Sequence, residues 1–289
     1  MVNVTSFLFR KSNATSKVVY SIAVLTSLFN TSFVYAQGDL FVNPKRLIFE
    51  GQKRSQEIIL ANTGKDTARY VISFIQIRMN DDGNFKEIEK PDSAQNFASG
   101  SLRIFPRTVV LAPNESQVVK VQTNQTNKLI PGEYRSHLYF RSLAKEKKMD
   151  DSIVKDISKT LSVKLTPVFG ISIPVIIRIG ENDAKVTITN LQLEEVPKAT
   201  PVLKLRLNRT GNMSVYGDIT IDYVSSSGKI TKAGFIKGVS VYTPNKIRDL
   251  NITLDDKAAL NLKIGKMRVT YATSASKSVK LASEDLTLK

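Results

Sequence analysis

The chain has 289 residues, a formal charge of +16, one histidine and no cysteine. Disulfides, thiol nucleophiles and thiolate metal sites are excluded, so an apolar core must hold the fold, and the length suffices for one. The basic excess favours acidic partners or anionic surfaces. Its lysines are scattered, though, with no tryptophan and no basic run interleaved with aromatics, which argues against nucleic acid as a partner.

In chain order, residues 1–36 read as a cleavable signal peptide. Arg10, Lys11 and Lys17 form a basic start, an apolar segment runs from Val18 to about Phe29, and Val34-Tyr35-Ala36 fits a cleavage site. The apolar run is too short and too interrupted by Ser21, Thr26 and Ser27 for a membrane span, and no later segment has the length for one.

Residues 37–178 read as a first domain of short strands. Expected are Leu40–Val42, Arg46–Glu50, Ser55–Asn62, Arg69–Arg78, Leu102–Phe105, Ser116–Thr123 and Gly132–Ser142, separated by turn chemistry such as Asn80-Asp81-Asp82-Gly83-Asn84 and Ala112-Pro113-Asn114-Glu115. Leu161 to Arg178 follows with apolar or proline side chains at every odd position from Leu161 to Ile177. Period two gives an extended strand one apolar face. At about 3.3 Å per residue the run could reach roughly 55 Å, well beyond the usual ~17–20 Å. Such a strand either bends between two domains or offers part of its apolar row to another chain. Arg178 to Asp183 reads as a short hinge, and residues 179–289 as a second β-sandwich domain with strands at Lys185–Leu193, Val202–Asn208, Ser214–Val224, Phe235–Val241, Asp249–Leu254, Leu262–Thr270 and Leu281–Leu288. The expected fold class is all-β, two immunoglobulin-like sandwiches.

Reactive constellations are sparse. His137 sits in an alternating strand, where a lone histidine is ordinarily structural. Asp81, Asp82 and Asn84 around Gly83 resemble part of a calcium loop but lack the downstream glutamate, so a polar hairpin turn is expected. Neither a phosphate-cradling glycine loop nor a nucleophile elbow occurs. The reading is of a non-enzyme without cofactor or metal.

Several pieces, in order, resemble the periplasmic pilus chaperones of the PapD-like family. They are Phe41-Val42-Asn43-Pro44-Lys45-Arg46-Leu47-Ile48-Phe49-Glu50-Gly51, Ile58–Asn62, Phe105-Pro106 with Leu111-Ala112-Pro113, Gly132-Glu133-Tyr134-Arg135-Ser136-His137-Leu138-Tyr139-Phe140-Arg141, and the long alternating strand. The resemblance covers about residues 39–180; the second block matches only as a β domain in the expected place. It implies two immunoglobulin-like domains set as a boomerang around a cleft. It also implies a periplasmic chaperone that binds fimbrial subunits lacking a strand, inserts its own edge strand into their groove, and delivers them to an outer-membrane usher.

Carried over by residue, Arg46 matches the arginine that holds the client's terminal carboxylate, a task suited to a guanidinium fork. Leu161, Val163 and Leu165 match the donor residues of the edge strand. The chain departs from the family at Pro174, where the second carboxylate anchor would be a lysine; Lys164 and Arg141 are alternative bases. An open edge also invites a self-capping dimer through residues 157–168. The rival reading is an exported structural or adhesive β-sandwich protein whose long strand joins two packed domains.

Overall fold

Alternation of apolar and polar side chains becomes strand almost throughout. The computed structural model describes residues 40–143, 168–195, 200–255, 260–274 and 277–288, and among them the only helical elements are two short 3-10 turns. Leu161, Val163, Leu165 and Lys164 lie outside the described residues.

The first part contains β1 (Leu40–Asn43), β2 (Leu47–Phe49), β3 (Ser55–Asn62), β4 (Ala68–Ile75), β5 (Ile77–Met79), β6 (Phe85–Glu87), β7 (Leu102–Phe105), β8 (Thr108–Leu111), β9 (Ser116–Thr123), β10 (Gly132–Leu143) and β11 (Gly170–Ile179). A four-stranded sheet in the order β1-β3-β9-β7 and a five-stranded sheet in the order β2-β11-β10-β4-β8 share one core. Leu47, Phe49, Ile58, Leu60, Leu111, Leu138 and Phe140 are fully buried there, each side chain contributing roughly 1.5–3 kcal/mol of burial.

Two departures from the expected strands have local causes. Arg69–Arg78 is broken at Gln76, whose backbone carbonyl accepts from Ile88 N–H (2.9 Å) while its amide bonds Ser99 and Ser136. β5 therefore leaves the sheet and pairs with β6 as a hairpin, with Asn80–Asn84 as its polar turn. β8 is an unforeseen short edge strand, held because Val109 and Leu111 point into the core.

β12 (Lys185–Glu194), β13 (Val202–Thr210), β14 (Val215–Val224), β15 (Ile230–Val241), β16 (Ile247–Thr253), β17 (Gly265–Ala272) and β18 (Lys280–Leu288) build a second sandwich. Its sheets run β12-β13-β16 and β15-β14-β17-β18 around a separate core that includes Leu203, Leu207, Ile219, Ile221, Met267 and Tyr271. The chain is thus all-β, with two sandwiches.

β11 controls how the first sandwich ends. It pairs antiparallel with β10 along its whole described length, from Gly170 opposite Arg141 to Ile179 opposite Gly132. On its other side it pairs, in parallel, only with β2, from Val175 to Ile177. Among the described residues, then, 170–174 have a strand on one side alone. The period-two pattern holds at Ile173, Val175 and Ile177, which face the core. Ile176 breaks it: this even-position side chain is also fully buried, packed with Met79 and with Tyr242 of the second sandwich.

Candidate functional site

The face of β10 turned away from the core carries Glu133, Arg135 and His137, all buried although polar. Their neighbours across the strand pair are Arg178, Ile176 and Pro174 respectively. The second sandwich covers this row, so the chemistry of the contact is set by alternate residues of two strands.

At one end the charges are satisfied. The Glu133 carboxylate accepts from Ser214 N–H (2.9 Å), Ser214 Oγ (2.6 Å), Thr243 Oγ1 (3.2 Å) and Arg178 Nε (3.3 Å). Arg178 also donates to the Ser214 carbonyl at 2.9 Å. One carboxylate and one guanidinium thereby tie the two sandwiches together. Asn245 adds a bond from its amide to the Met79 carbonyl (2.8 Å), and Asp249 N–H one to the Asp81 carbonyl (2.7 Å).

At the other end they are not. Arg46, in the turn just before β2, is stacked on the Tyr216 ring at 3.8 Å from its centroid, and its three guanidinium nitrogens are buried with no hydrogen-bond partner among the described residues. Arg135 lies 4.1 Å over the Tyr242 ring and reaches the Ile77 carbonyl at 3.4 Å, leaving Nε and Nη1 unpartnered. Burial pushes its guanidinium below the usual value, although an arginine so placed stays charged. Arg248 of β16 donates through Nη1 to the Ser240 carbonyl (2.6 Å), and its buried Nε is free. A cation over an aromatic face gains roughly 0.5–2 kcal/mol, less than the several kcal/mol lost on burying an unpaired ion. The arrangement is poised for an anion.

A cavity of about 250 Å³ opens among these groups, lined by Arg46, Lys45 and Pro174 on one side and by Tyr216, Tyr242 and Arg248 on the other; none of its lining residues is acidic. His137 also faces it. Desolvation, reinforced by Arg135, pushes the imidazole down to about 3, so it is neutral at any physiological pH. Its ring meets Phe85 and Tyr242 edge-on at 6.0 and 6.4 Å. This agrees with a structural histidine.

Of the expected site residues, Arg46 lies in this cavity beside Pro174. Arg141 is exposed on β10 opposite Gly170 and is not among the lining residues. The sequence reading missed Glu133, Arg135 and Arg248. The first two carried a signal: Glu133-x-Arg135-x-His137 puts three polar groups on one face of a strand whose other face is Tyr134, Leu138 and Phe140. Arg248 carried none, because only the packing of two sandwiches brings it here.

No family model and no curated protein matches the chain at the sequence level. Among solved structures it is similar to the YadV chaperone, with a TM-score of 0.44 and 11% identity over 87% of this chain and all of that one. It is similar to the class 5 fimbriae chaperone CfaA with a TM-score of 0.41 and 15% identity, over 86% and 99% of the two chains. A third similarity is to the CupB2 chaperone of Pseudomonas aeruginosa, with a TM-score of 0.42 and 11% identity over 86% and 100%.

Proposed function

We propose that this protein is a periplasmic chaperone of fimbrial subunits, exported by residues 1–36, that completes a client's unfinished sandwich with its own edge strand. The observation that carries the reading is the half-paired stretch 170–174 of β11, taken with the sequence just before it. Val168 and Phe169 are exposed there, and the chain leads back into the alternating Leu161, Val163 and Leu165. A row of unpaired backbone groups beside alternating apolar side chains is what β-augmentation requires.

The edge also has a direction. β2 occupies it from Leu47 onward, parallel to β11, and Arg46 immediately precedes β2. A guest strand lying parallel to β11 would run towards β2 and bring its C-terminus to Arg46. The terminal carboxylate would meet the unpartnered guanidinium, which fixes register as well as adding affinity.

The test is co-purification from a periplasmic extract. The double variant Leu161→Asn, Val163→Asn should fold with unchanged thermal stability and lose its bound polypeptide. Arg46→Ala should weaken capture by roughly tenfold or more, the scale of a charged hydrogen bond. Lost stability with no change in capture would instead favour an envelope protein whose long strand is purely structural.

A further inference from the structure

We propose that Arg248, from the second sandwich, is the cavity's second carboxylate anchor, so that a chain end is clamped between Arg46 and Arg248. The inference rests on the reading of Arg46 given above. The corresponding place on β11 is Pro174, which has neither charge nor backbone donor, and its cross-strand neighbour is the neutral His137. The cation must come from elsewhere.

Three others are near. Lys45 lines the cavity but is exposed, so water competes for any anion it holds. Arg135 is buried against Tyr242 and does not line the cavity. Arg248 alone among them both lines the cavity and carries a buried donor, Nε, without a partner. Its guanidinium is also held in place. Nη1 is fixed to the Ser240 carbonyl, and the β5–β6 turn presses on the group at Gly83, where an added Cβ would come within 2.6 Å of Nε and Nη2. A donor fixed before binding loses little entropy on binding.

Acidic groups around it are already committed or remote from the cavity. Glu133 is engaged by Ser214, Thr243 and Arg178, Asp81 by Asn245, and Asp249 by Arg206. Asp82, whose field Arg248 feels, bonds Asn84 instead and does not line the cavity. Both Arg46 and Arg248 act on the Tyr271 hydroxyl, which places their charges in one neighbourhood. A cavity of about 250 Å³ admits a terminal residue with its carboxylate, not a length of peptide. A guest strand that follows the direction of β2 would end there.

The experiment is a titration of the whole mature protein, following the arginine Nε–Hε signals by NMR. The probes are N-acetyl-valine, N-acetyl-valinamide and inorganic phosphate. The expected result is that the Arg46 and Arg248 signals move together, with one affinity, on adding N-acetyl-valine, while the amide moves neither and phosphate binds more weakly. Arg248→Gln and Arg248→Lys should each weaken N-acetyl-valine by about tenfold or more, with Arg46 still responding. The lysine variant keeps the charge should glutamine fail to fold, and the wild-type titration depends on neither. If the Arg46 signal moves while Arg248 stays still and its variants bind normally, the clamp is refuted and the Arg46 reading stands. If neither signal moves, both fall together. Phosphate binding at least as tightly would mean a free-anion site and would overturn the chain-end assignment.

Discussion

His137 shows how burial sets chemistry at a single residue. In the unfolded chain its imidazole titrates near the usual 6.5; in the folded chain it is held down to about 3 by desolvation and by Arg135. Below pH 6.5 the unfolded state therefore binds a proton that the folded state refuses, and stability falls with pH through that window. Between pH 6.5 and 5 this one residue should remove about 2 kcal/mol, at ~1.4 kcal/mol per pH unit. Chemical denaturation at a series of pH values checks it: His137→Asn should flatten the slope in that window. The same row of residues marks what was legible. Arg46 stands out through its neighbours in sequence, and Glu133-x-Arg135-x-His137 is readable as a polar face of a buried strand. Arg248 is not, because nothing near Ile247–Thr253 announces the surface against which that strand will pack.

β11 shows the same division among elements. Its alternation is plain in the sequence, as is the strand β9, whose bounds Ser116–Thr123 match the expectation residue for residue. What alternation could not reveal is that the even-numbered face would also be covered, as it is at Ile176, which packs against Met79 and Tyr242. Truncation tests that contact. Ile176→Ala should leave a hole between Met79 and Tyr242 and cost about 2–5 kcal/mol in denaturant unfolding, as a fully buried isoleucine does. A polar change at exposed Phe169 should cost little stability, since that side chain has no core to leave. The break at Gln76 is illegible for a related reason: its partners, Ile88, Ser99 and Ser136, are distant in sequence.

Across the whole molecule, two cores of similar make-up meet through polar groups that are well satisfied at the Glu133 end and unsatisfied at the arginine end. Glu133 is the centre of that meeting, accepting from both sandwiches. Glu133→Ala should cost about 3–5 kcal/mol, because Arg178 and the Ser214 donors would remain buried without their acceptor. Calorimetry should then resolve two unfolding transitions in place of the one expected of the parent protein. The fully bonded Glu133 end joins the two sandwiches, while the unsatisfied arginine end and the open edge of β11 are the parts that the proposed function assigns to a guest. The measurement that tests this most directly is hydrogen exchange over residues 161–169, ahead of the stretch paired with β10, in the free protein and in the protein purified with its bound polypeptide. Fast exchange when free and strong protection in the complex is the predicted result. Equal protection in both would contradict the account, because the edge would already be closed within its own fold.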